Sequence, residues 1–297
     1  PRLPERHIAV LVGGLWSTSE EAGIDDLDTA ALGYADDDVS RFSYRGGSTE
    51  TTSYGADDST ADIRQSARRL RQYLQQTEAE NPGVPIDVIA HSQGGLVARE
   101  ALTNEFDGLD PTLPQVSSLV TLGTPHHGTD LATAGAMVGA SSIGHLAERG
   151  VGTVTPWDAT APALQQMSEV STFIHDLNDR PLPEGLHATA IGARGDWIVP
   201  AGQTSFAGAD HVIVSVPGIA GDHWDLPGSD QAEREVALAV NHMAPTCQSF
   251  VDAMADAYVS GALSQIEDGA GLGLWWLGRR RDPPVPSPRD VLLNRGS

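Results

Sequence analysis

Short apolar runs recur along the chain and alternate with segments whose apolar residues fall at helical spacing. Residues 7–12 are, after His7, a continuous apolar run, as expected of a strand buried on both faces of a parallel sheet, and residues 86–90 are an apolar run that contains Asp87. Similar runs occur farther along, and residues 39–44 alternate between apolar and polar like a half-buried strand. The predicted strands are therefore residues 7–12, 39–44, 86–90, 116–122, 186–192 and 211–216.

The segments between these strands favour helices. Residues 60–80 carry Ile63, Leu70 and Leu74 among polar residues, and an Asn-Pro-Gly sequence ends this pattern. Further helices are predicted near residues 25–34, from about 94 to 105, and over 229–244. Strands that alternate with helices in this way indicate an α/β fold, with a mostly parallel central sheet of about six strands flanked by helices.

Residues 128–184 do not fit this alternation, because they are far longer than an ordinary connection between two strands. Their first half consists of small and apolar residues, and a helix is predicted over residues 159–178. Such an insertion is often a cap or lid over a pocket, and an ordinary structural elaboration is the alternative.

The residues after Pro245 also stand apart from the alternating pattern. Residues 248–266 favour an amphipathic helix, and a Trp-Trp pair beside three arginines follows it. That pair would suit a transient contact with a membrane or lipid interface, while a tail packed on the domain is the plainer interpretation. The predicted organisation is one α/β domain over residues 1–245 and a C-terminal helix and tail over residues 246–297.

Charge and composition narrow the range of functions. The 297 residues include 40 acids and 18 bases, a net charge of -22, and every base is an arginine. Because phosphate binding requires a basic surface, we expect no nucleic-acid partner. The lack of lysine excludes Schiff-base chemistry and a phosphate-loop lysine. A single cysteine excludes a Cys-rich zinc site, and no apolar run of membrane-spanning length occurs.

Ser92 lies between the predicted strand 86–90 and the helix that follows, within the sequence Ala-His-Ser-Gln-Gly-Gly. A serine hydroxyl is a weak nucleophile that requires an adjacent base and an open position. A sharp strand-to-helix turn provides the open position if the residues two before and two after the serine are small. Ala90 and Gly94 meet that requirement, although alanine replaces the first glycine of the usual G-x-S-x-G pattern. The pattern therefore predicts Ser92 as the nucleophile of a nucleophile elbow.

Backbone N–H groups near Ser92 are candidates for an oxyanion hole. The N–H of Gln93 lies at the start of the predicted helix, where free donors face incoming negative charge. A second donor should come from the loop after the first strand, where Gly13 and Gly14 let the backbone approach a ligand closely. We expect the N–H of Leu15 to be this donor, with Gly14 as the alternative.

An acid and then a histidine are expected after later strands, since the chain order in this kind of site is serine, acid, histidine. Asp196 follows the predicted strand 186–192, and His223 lies in the loop after the last predicted strand. These positions predict Asp196 as the acid and His223 as the base. Less suitably placed alternatives are Asp176, Asp179, Glu184, Asp210, Asp222 and Asp225 for the acid, and His211 and His242 for the base.

Three further histidines lie near these candidates. His91 adjoins Ser92, and we expect its side chain to order the turn rather than act as the base. His126 and His127 lie in a Gly-Thr-Pro-His-His-Gly sequence, where they could line the site, bind a metal or order the loop. Since no H-E-x-x-H or comparable ligand set occurs, we expect no metal and no other cofactor.

The segments VLVGGLW, AHSQGG, TLGTPHHGT, GARGDWIVP and AGDHWDL occur in the order and spacing of bacterial α/β-hydrolase lipases and esterases. The chain resembles that family over roughly residues 6–243, and it looks most similar to the triacylglycerol-lipase and PGAP1-like esterase group. The resemblance implies an α/β-hydrolase fold in a compact version that lacks the first strand pair. By resemblance, the catalytic triad is Ser92, Asp196 and His223, and the oxyanion hole is supplied by Leu15 and Gln93.

These features predict a serine hydrolase of carboxylic esters, with lipid-like or other acyl esters as substrates. One alternative is an acyltransferase that passes the same acyl group to an alcohol or amine. Another is a non-catalytic interaction module that retains the fold. A secreted or cell-surface location is expected, with a cytoplasmic one left open.

Overall fold

The computed structural model describes residues 2–106, 108–109, 111–129, 161–196, 198–216 and 223–247. Its strands are β1 (Ile8–Val12), β2 (Val39–Arg41), β3 (Ile86–His91), β4 (Val116–Leu122), β5 (His187–Arg194) and β6 (Asp210–Ser215). They form one sheet in the order β2-β1-β3-β4-β5-β6, and every neighbouring pair is parallel. Each strand overlaps a predicted one, so the prediction of a parallel sheet of six strands is confirmed.

Helices cover both faces of this sheet. The helices of the described residues are α1 (Thr29–Leu32), α2 (Ala56–Ser59), α3 (Ile63–Glu80), α4 (Gln93–Thr103), α5 (Pro162–Gln166), α6 (Thr172–Asn178) and α7 (Asp230–Val240). Helices α3, α4, α5 and α6 share one apolar core with the sheet, and α1 and α7 share another. Among these helices, none has both the length and the apolar character needed to cross a membrane.

The alternation of side chains along β1 shows how the sheet separates these two cores. Val10 and Val12 belong to the core that contains residues of α3 and α4. Ala9 and Leu11 belong to the other core, which contains residues of α1 and α7. All four side chains are buried, because a parallel strand with helices on both faces has no solvent-facing side. This burial accounts for the continuous apolar run in the sequence.

Three predicted elements are shorter or divided. The predicted strand 39–44 ends at Arg41, because the chain turns at Ser43 and Phe42 then pairs antiparallel with Ser48. The predicted helix near residues 25–34 consists of a 3-10 turn at Gly23–Asp26 followed by α1. The predicted helix 159–178 is two helices, α5 and α6, since the Ser171 side chain accepts the Ile174 N–H and caps a new helix.

Most of the predicted cap and the predicted C-terminal helix lie outside the described residues, so the cap, the tail and the domain division stay predictions. The described part of the insertion, α5 and α6, packs beside α3 and α4. One tie is a hydrogen bond of 2.7 Å from the Ile63 N–H to Gln166 Oε1. The end of the insertion is thus attached to the main domain at the start of α3.

Candidate active site

Ser92 occupies a strained turn between β3 and α4. Its φ of 56° and ψ of -134° lie in a region that residues with a side chain rarely adopt. Two contacts with the end of β4 hold this conformation. The Ser92 N–H donates to the Leu122 carbonyl oxygen at 2.8 Å, and Thr124 Oγ1 donates to the Ser92 carbonyl oxygen at 2.8 Å. The strain places the side chain at the carboxyl edge of the sheet, as a nucleophile elbow requires.

The glycines after Ser92 let α4 approach the sheet closely. A Cβ atom at Gly94 would lie 2.5 Å from the Gly13 carbonyl oxygen, which leaves no room for any side chain. A Cβ atom at Gly95 would lie 2.1 Å from Thr124 Oγ1. Ala90, which replaces the first glycine of the usual pattern, is fully buried. The small residues around Ser92 are therefore required by the contacts of the turn.

His223 and Asp196 complete a continuous chain of hydrogen bonds from Ser92. His223 Nε2 lies 3.0 Å from Ser92 Oγ, and His223 Nδ1 lies 2.7 Å from Asp196 Oδ2. All three residues are buried, with Asp196 fully so. Because a carboxylate only accepts, Nδ1 carries the proton of the neutral ring and Nε2 is left to accept from the serine hydroxyl. The structure brings together the three residues predicted as nucleophile, acid and base.

Asp196 is fixed by the loop that follows β5. Its Oδ1 accepts the backbone N–H groups of Ile198 and Val199, each at 2.9 Å. Those two side chains are fully buried, and Trp16 and Trp224 pack against them. The carboxylate is therefore satisfied by three donors and is screened from water by an apolar cluster.

Both predicted oxyanion-hole donors lie beside Ser92. Gln93 is the first residue of α4, and a Cβ atom at Gly14, next to Leu15, would lie only 2.7 Å from Ser92 Cβ. Within the described residues, neither the Leu15 nor the Gln93 N–H donates a hydrogen bond. Free N–H groups at the start of a helix and in a glycine loop are suited to an oxygen that gains negative charge.

His91 makes a contact that the sequence did not predict. Its Nε2 donates to the backbone carbonyl oxygen of His223 at 2.9 Å, and the centres of the two rings are 4.9 Å apart. Complete burial lowers the pKa of His91 to about 3, and the nearby His223 ring is a smaller cause in the same direction. A neutral His91 thus supports the loop that carries His223, whereas the sequence interpretation assigned it only to the turn at Ser92.

His126 and His127 have ordinary packing partners. His126 Nε2 lies 3.1 Å from Thr121 Oγ1, and its ring packs against Phe206 with centres 4.1 Å apart. Burial lowers the pKa of His126 well below its usual value. The His127 N–H donates to the Gln203 carbonyl oxygen at 3.2 Å. These contacts favour the loop-ordering interpretation, and the part of the chain that is described contains no group of three or more potential metal ligands.

The alternative acids and bases lie elsewhere or outside the described residues. Asp176 pairs with Arg64 at 2.7 Å, and His211 lies at the amino end of β6, bonded to Thr204 at 2.9 Å. His242 stacks on His187 with ring centres 3.7 Å apart. Asp222 lies outside the described residues.

Comparisons with known proteins agree with the fold. A family model described as a domain of unknown function (DUF7379) matches residues 53–142, which include Ser92. The mature lipase BlEst2 from Bacillus licheniformis has a similar structure, with a TM-score of 0.51 and 17% identity, over 80% of this chain and 94% of that one.

The phospholipase PlaB from Legionella pneumophila is similar with a TM-score of 0.52 and 13% identity, over 95% of this chain and 67% of that one. No curated protein matches the chain in sequence. At these identities the likeness concerns the fold alone, and with the six-stranded parallel sheet it confirms the predicted α/β-hydrolase fold.

Proposed function

We propose that the protein is a serine hydrolase of carboxylic esters that acts through Ser92, His223 and Asp196. The observation that carries this proposal is the unbroken chain of hydrogen bonds through these residues, which begins at a strained and closely packed turn. Nucleophile, base and orienting acid lie within the distances that proton transfer requires. The similarity to structures of a lipase and a phospholipase agrees with this assignment.

In the first step, Ser92 Oγ attacks the ester carbonyl carbon while His223 Nε2 takes the hydroxyl proton. Asp196 holds Nδ1 and stabilises the imidazolium that forms. The negative charge moves to the carbonyl oxygen, where the N–H groups of Leu15 and Gln93 would receive it. The ester C–O bond then breaks, and the alcohol leaves with the proton that His223 returns.

In the second step, a water molecule attacks the acyl group on Ser92, and His223 Nε2 accepts a proton from that water. The tetrahedral intermediate collapses, the serine oxygen regains its proton from His223, and the carboxylic acid is released. Both steps use the same base and the same oxyanion hole. The residues of the chain therefore provide every proton transfer that the reaction requires.

Apolar acyl esters are the substrate class that the surroundings favour. Trp16 follows Leu15, and Trp224 follows His223, so each of these partly buried indoles adjoins a residue of the proposed site. The Trp224 ring meets the His223 ring edge-on, with centres 5.3 Å apart. A site with such apolar neighbours favours a hydrophobic acyl or alcohol group next to the ester.

The test compares wild type with Ser92→Ala on a p-nitrophenyl ester of short acyl chain. We expect the variant to lose kcat by at least about 10⁴-fold, since removal of a triad nucleophile disables the whole unit. A fluorophosphonate probe should label wild type at Ser92 and leave the variant unlabelled. Equal rates for the two proteins would refute the proposal, and product analysis with an added alcohol would separate hydrolysis from acyl transfer.

A further inference from the structure

The backbone carbonyl of Gly14 is held from one side by Ser17. Ser17 Oγ donates to it at 2.7 Å, and the Ser17 N–H also donates to it at 3.3 Å. The four residues from Gly14 to Ser17 therefore form a turn, in which Trp16 has a φ of 58°. A positive φ at the third residue is the signature of a type II turn, and for tryptophan it is a strained conformation.

Tyr54 in turn fixes the hydroxyl of Ser17. The two hydroxyl oxygens are 2.8 Å apart, and since the single Ser17 proton is directed to Gly14, Tyr54 must be the donor. Tyr54 is buried and is tied to the same segment by its backbone. Its N–H donates to Ser19 Oγ at 2.7 Å, and its carbonyl oxygen accepts the Ser19 N–H at 3.1 Å. Tyr54, Ser17 and the Gly14 carbonyl thus form a relay of two hydrogen bonds.

The direction of one peptide unit follows from this relay. The Gly14 carbonyl and the Leu15 N–H belong to the same trans peptide and point in opposite directions. Anchoring the carbonyl on Ser17 therefore directs the Leu15 N–H away from Ser17. Gly14 itself adjoins the nucleophile, because a Cβ atom there would lie 3.3 Å from Ser92 Oγ.

We propose that Ser17 and Tyr54 are positioning residues that hold the Leu15 N–H in place as an oxyanion-hole donor. The proposal rests on the proposed esterase function and extends it to residues that never touch the substrate. Gly13 and Gly14 give this loop wide conformational freedom, so its peptide planes require external anchors. A second anchor is Tyr44, whose hydroxyl donates to the Gly13 carbonyl oxygen at 2.7 Å.

An anchored donor acts mainly in the transition state. The oxyanion carries full charge only after the serine attacks, so a loosened Leu15 N–H weakens transition-state stabilisation more than ester binding. The relay should therefore affect kcat with little change in KM. A purely structural role would instead appear in thermal stability alone.

The experiment measures kcat and KM for Ser17→Ala, Tyr54→Phe and the double variant. We expect Ser17→Ala to lower kcat about tenfold and Tyr54→Phe about threefold, with KM within about twofold of wild type. Because Tyr54 acts through Ser17, the double variant should match Ser17→Ala rather than multiply the two losses. Tyr73→Phe is the matched control, since it removes a hydroxyl that donates to Ser40 Oγ at 2.8 Å outside the proposed site.

A reversible inhibitor supplies an independent readout. A trifluoromethyl ketone accepts Ser92 Oγ at its carbonyl carbon and leaves a negative oxygen in the oxyanion hole. Its affinity should fall about tenfold in Ser17→Ala, in parallel with kcat. If Ser17→Ala does not fold, Ser17→Cys keeps a weak donor at the same position and should show a smaller loss in both measurements.

The outcomes separate this inference from the proposed function. An unchanged kcat in Ser17→Ala, or losses that multiply in the double variant, would overturn the relay even if Ser92→Ala is inactive. Activity that survives in Ser92→Ala would refute the esterase mechanism itself.

Discussion

The sheet carries two pairs of a buried aspartate and a histidine, one at each edge. At the carboxyl edge His223 Nδ1 lies 2.7 Å from Asp196 Oδ2, and at the amino edge His7 Nδ1 lies 2.7 Å from Asp87 Oδ2. Both carboxylates are completely buried. The same pair of side chains in the same geometry therefore occurs in two regions, and of the two only the Asp196 pair lies beside the proposed nucleophile Ser92.

The surroundings of the two carboxylates differ. Asp196 uses both oxygens, since Oδ1 accepts two backbone N–H groups while Oδ2 is kept for His223. At Asp87, Oδ2 accepts both His7 and the Tyr34 hydroxyl, which lies 2.8 Å away. Asp87 Oδ1 has no hydrogen-bond partner among the described residues.

This difference separates an orienting pair from a structural one. His223 has its second nitrogen 3.0 Å from Ser92 Oγ, next to Gln93, whose N–H donates no hydrogen bond within the described part of the chain. The second partner of Asp87 is Tyr34. Its buried hydroxyl is a poor nucleophile, because burial and the nearby carboxylate both raise the pKa of Tyr34. Whether an aspartate-histidine pair is a candidate for catalysis thus depends on two things: the third side chain that it contacts, and the edge of the sheet at which it lies.

The largest expected contrast comes from replacing each aspartate by asparagine. Asp196→Asn should lower kcat on a p-nitrophenyl ester about 10⁴-fold, because the wrong tautomer of His223 is then favoured. Asp87→Asn should leave kcat within about threefold of wild type, since it lies at the opposite edge. Similar losses in the two variants would contradict the distinction between the pairs.

The Asp87 pair should affect the stability of the folded protein more than its catalytic rate. Asp87→Asn removes the charge that His7 and Tyr34 share in a buried position, so we expect the free energy of unfolding to fall by about 3 kcal/mol. Urea denaturation monitored by circular dichroism measures this quantity. A change below the error of the fit would show that the pair contributes nothing to the fold.

His91 provides a smaller test of the carboxyl edge. His91→Phe keeps a ring but removes the hydrogen bond to the His223 carbonyl oxygen, so we expect kcat to fall about tenfold while KM changes little. His91→Gln can place an amide donor near the same position and should recover part of the loss. If Phe and Gln behave alike, the hydrogen bond has no positioning role.

The dependence of stability on pH should distinguish His7 from His91. The hydrogen bond to Asp87 raises the pKa of His7 in the folded protein. The stabilisation that His7 contributes is therefore complete below the pKa of this histidine in the unfolded chain, and it is lost as pH rises through its pKa in the folded protein. Burial lowers the pKa of His91 to about 3, so stability falls as pH decreases from about 6.5 toward that value.

The measurement compares unfolding free energies of wild type, His7→Gln and His91→Gln at several pH values. The deficit of His7→Gln relative to wild type should shrink toward alkaline pH. The His91→Gln variant should lose less stability on acidification than wild type does. Parallel curves for all three proteins would show that neither ring titrates in a way that is linked to folding.

Much of the fold and of the proposed triad follows from local sequence. A continuous apolar run identifies β1, and runs that are apolar except for a few polar residues identify β3, β4 and β5, because strands buried on both faces tolerate few polar residues. Small residues around Ser92 identify the turn, and strand ends identify Asp196 and His223. The sequence predicts one helix over residues 159–178, although Ser171 and its bond to the Ile174 N–H divide it.

The supporting contacts depend on tertiary structure and have no local signal. Ser17 and Tyr54 are 37 residues apart, and His91 and His223 are 132 residues apart. Nothing in the spacing of such residues indicates that they will meet. What the sequence predicts is the set of reacting groups, and what only the structure supplies is the set of groups that hold them.

The backbone of Ser92 has a consequence for laboratory evolution. Glycine adopts a positive φ without strain, so Ser92→Gly should raise the free energy of unfolding by about 1 kcal/mol or more while it removes the hydroxyl. A population selected only for resistance to heat would be expected to gain by this replacement. A screen for thermostable variants should therefore select for activity in every round, because a stabilising replacement of Ser92 removes the proposed nucleophile.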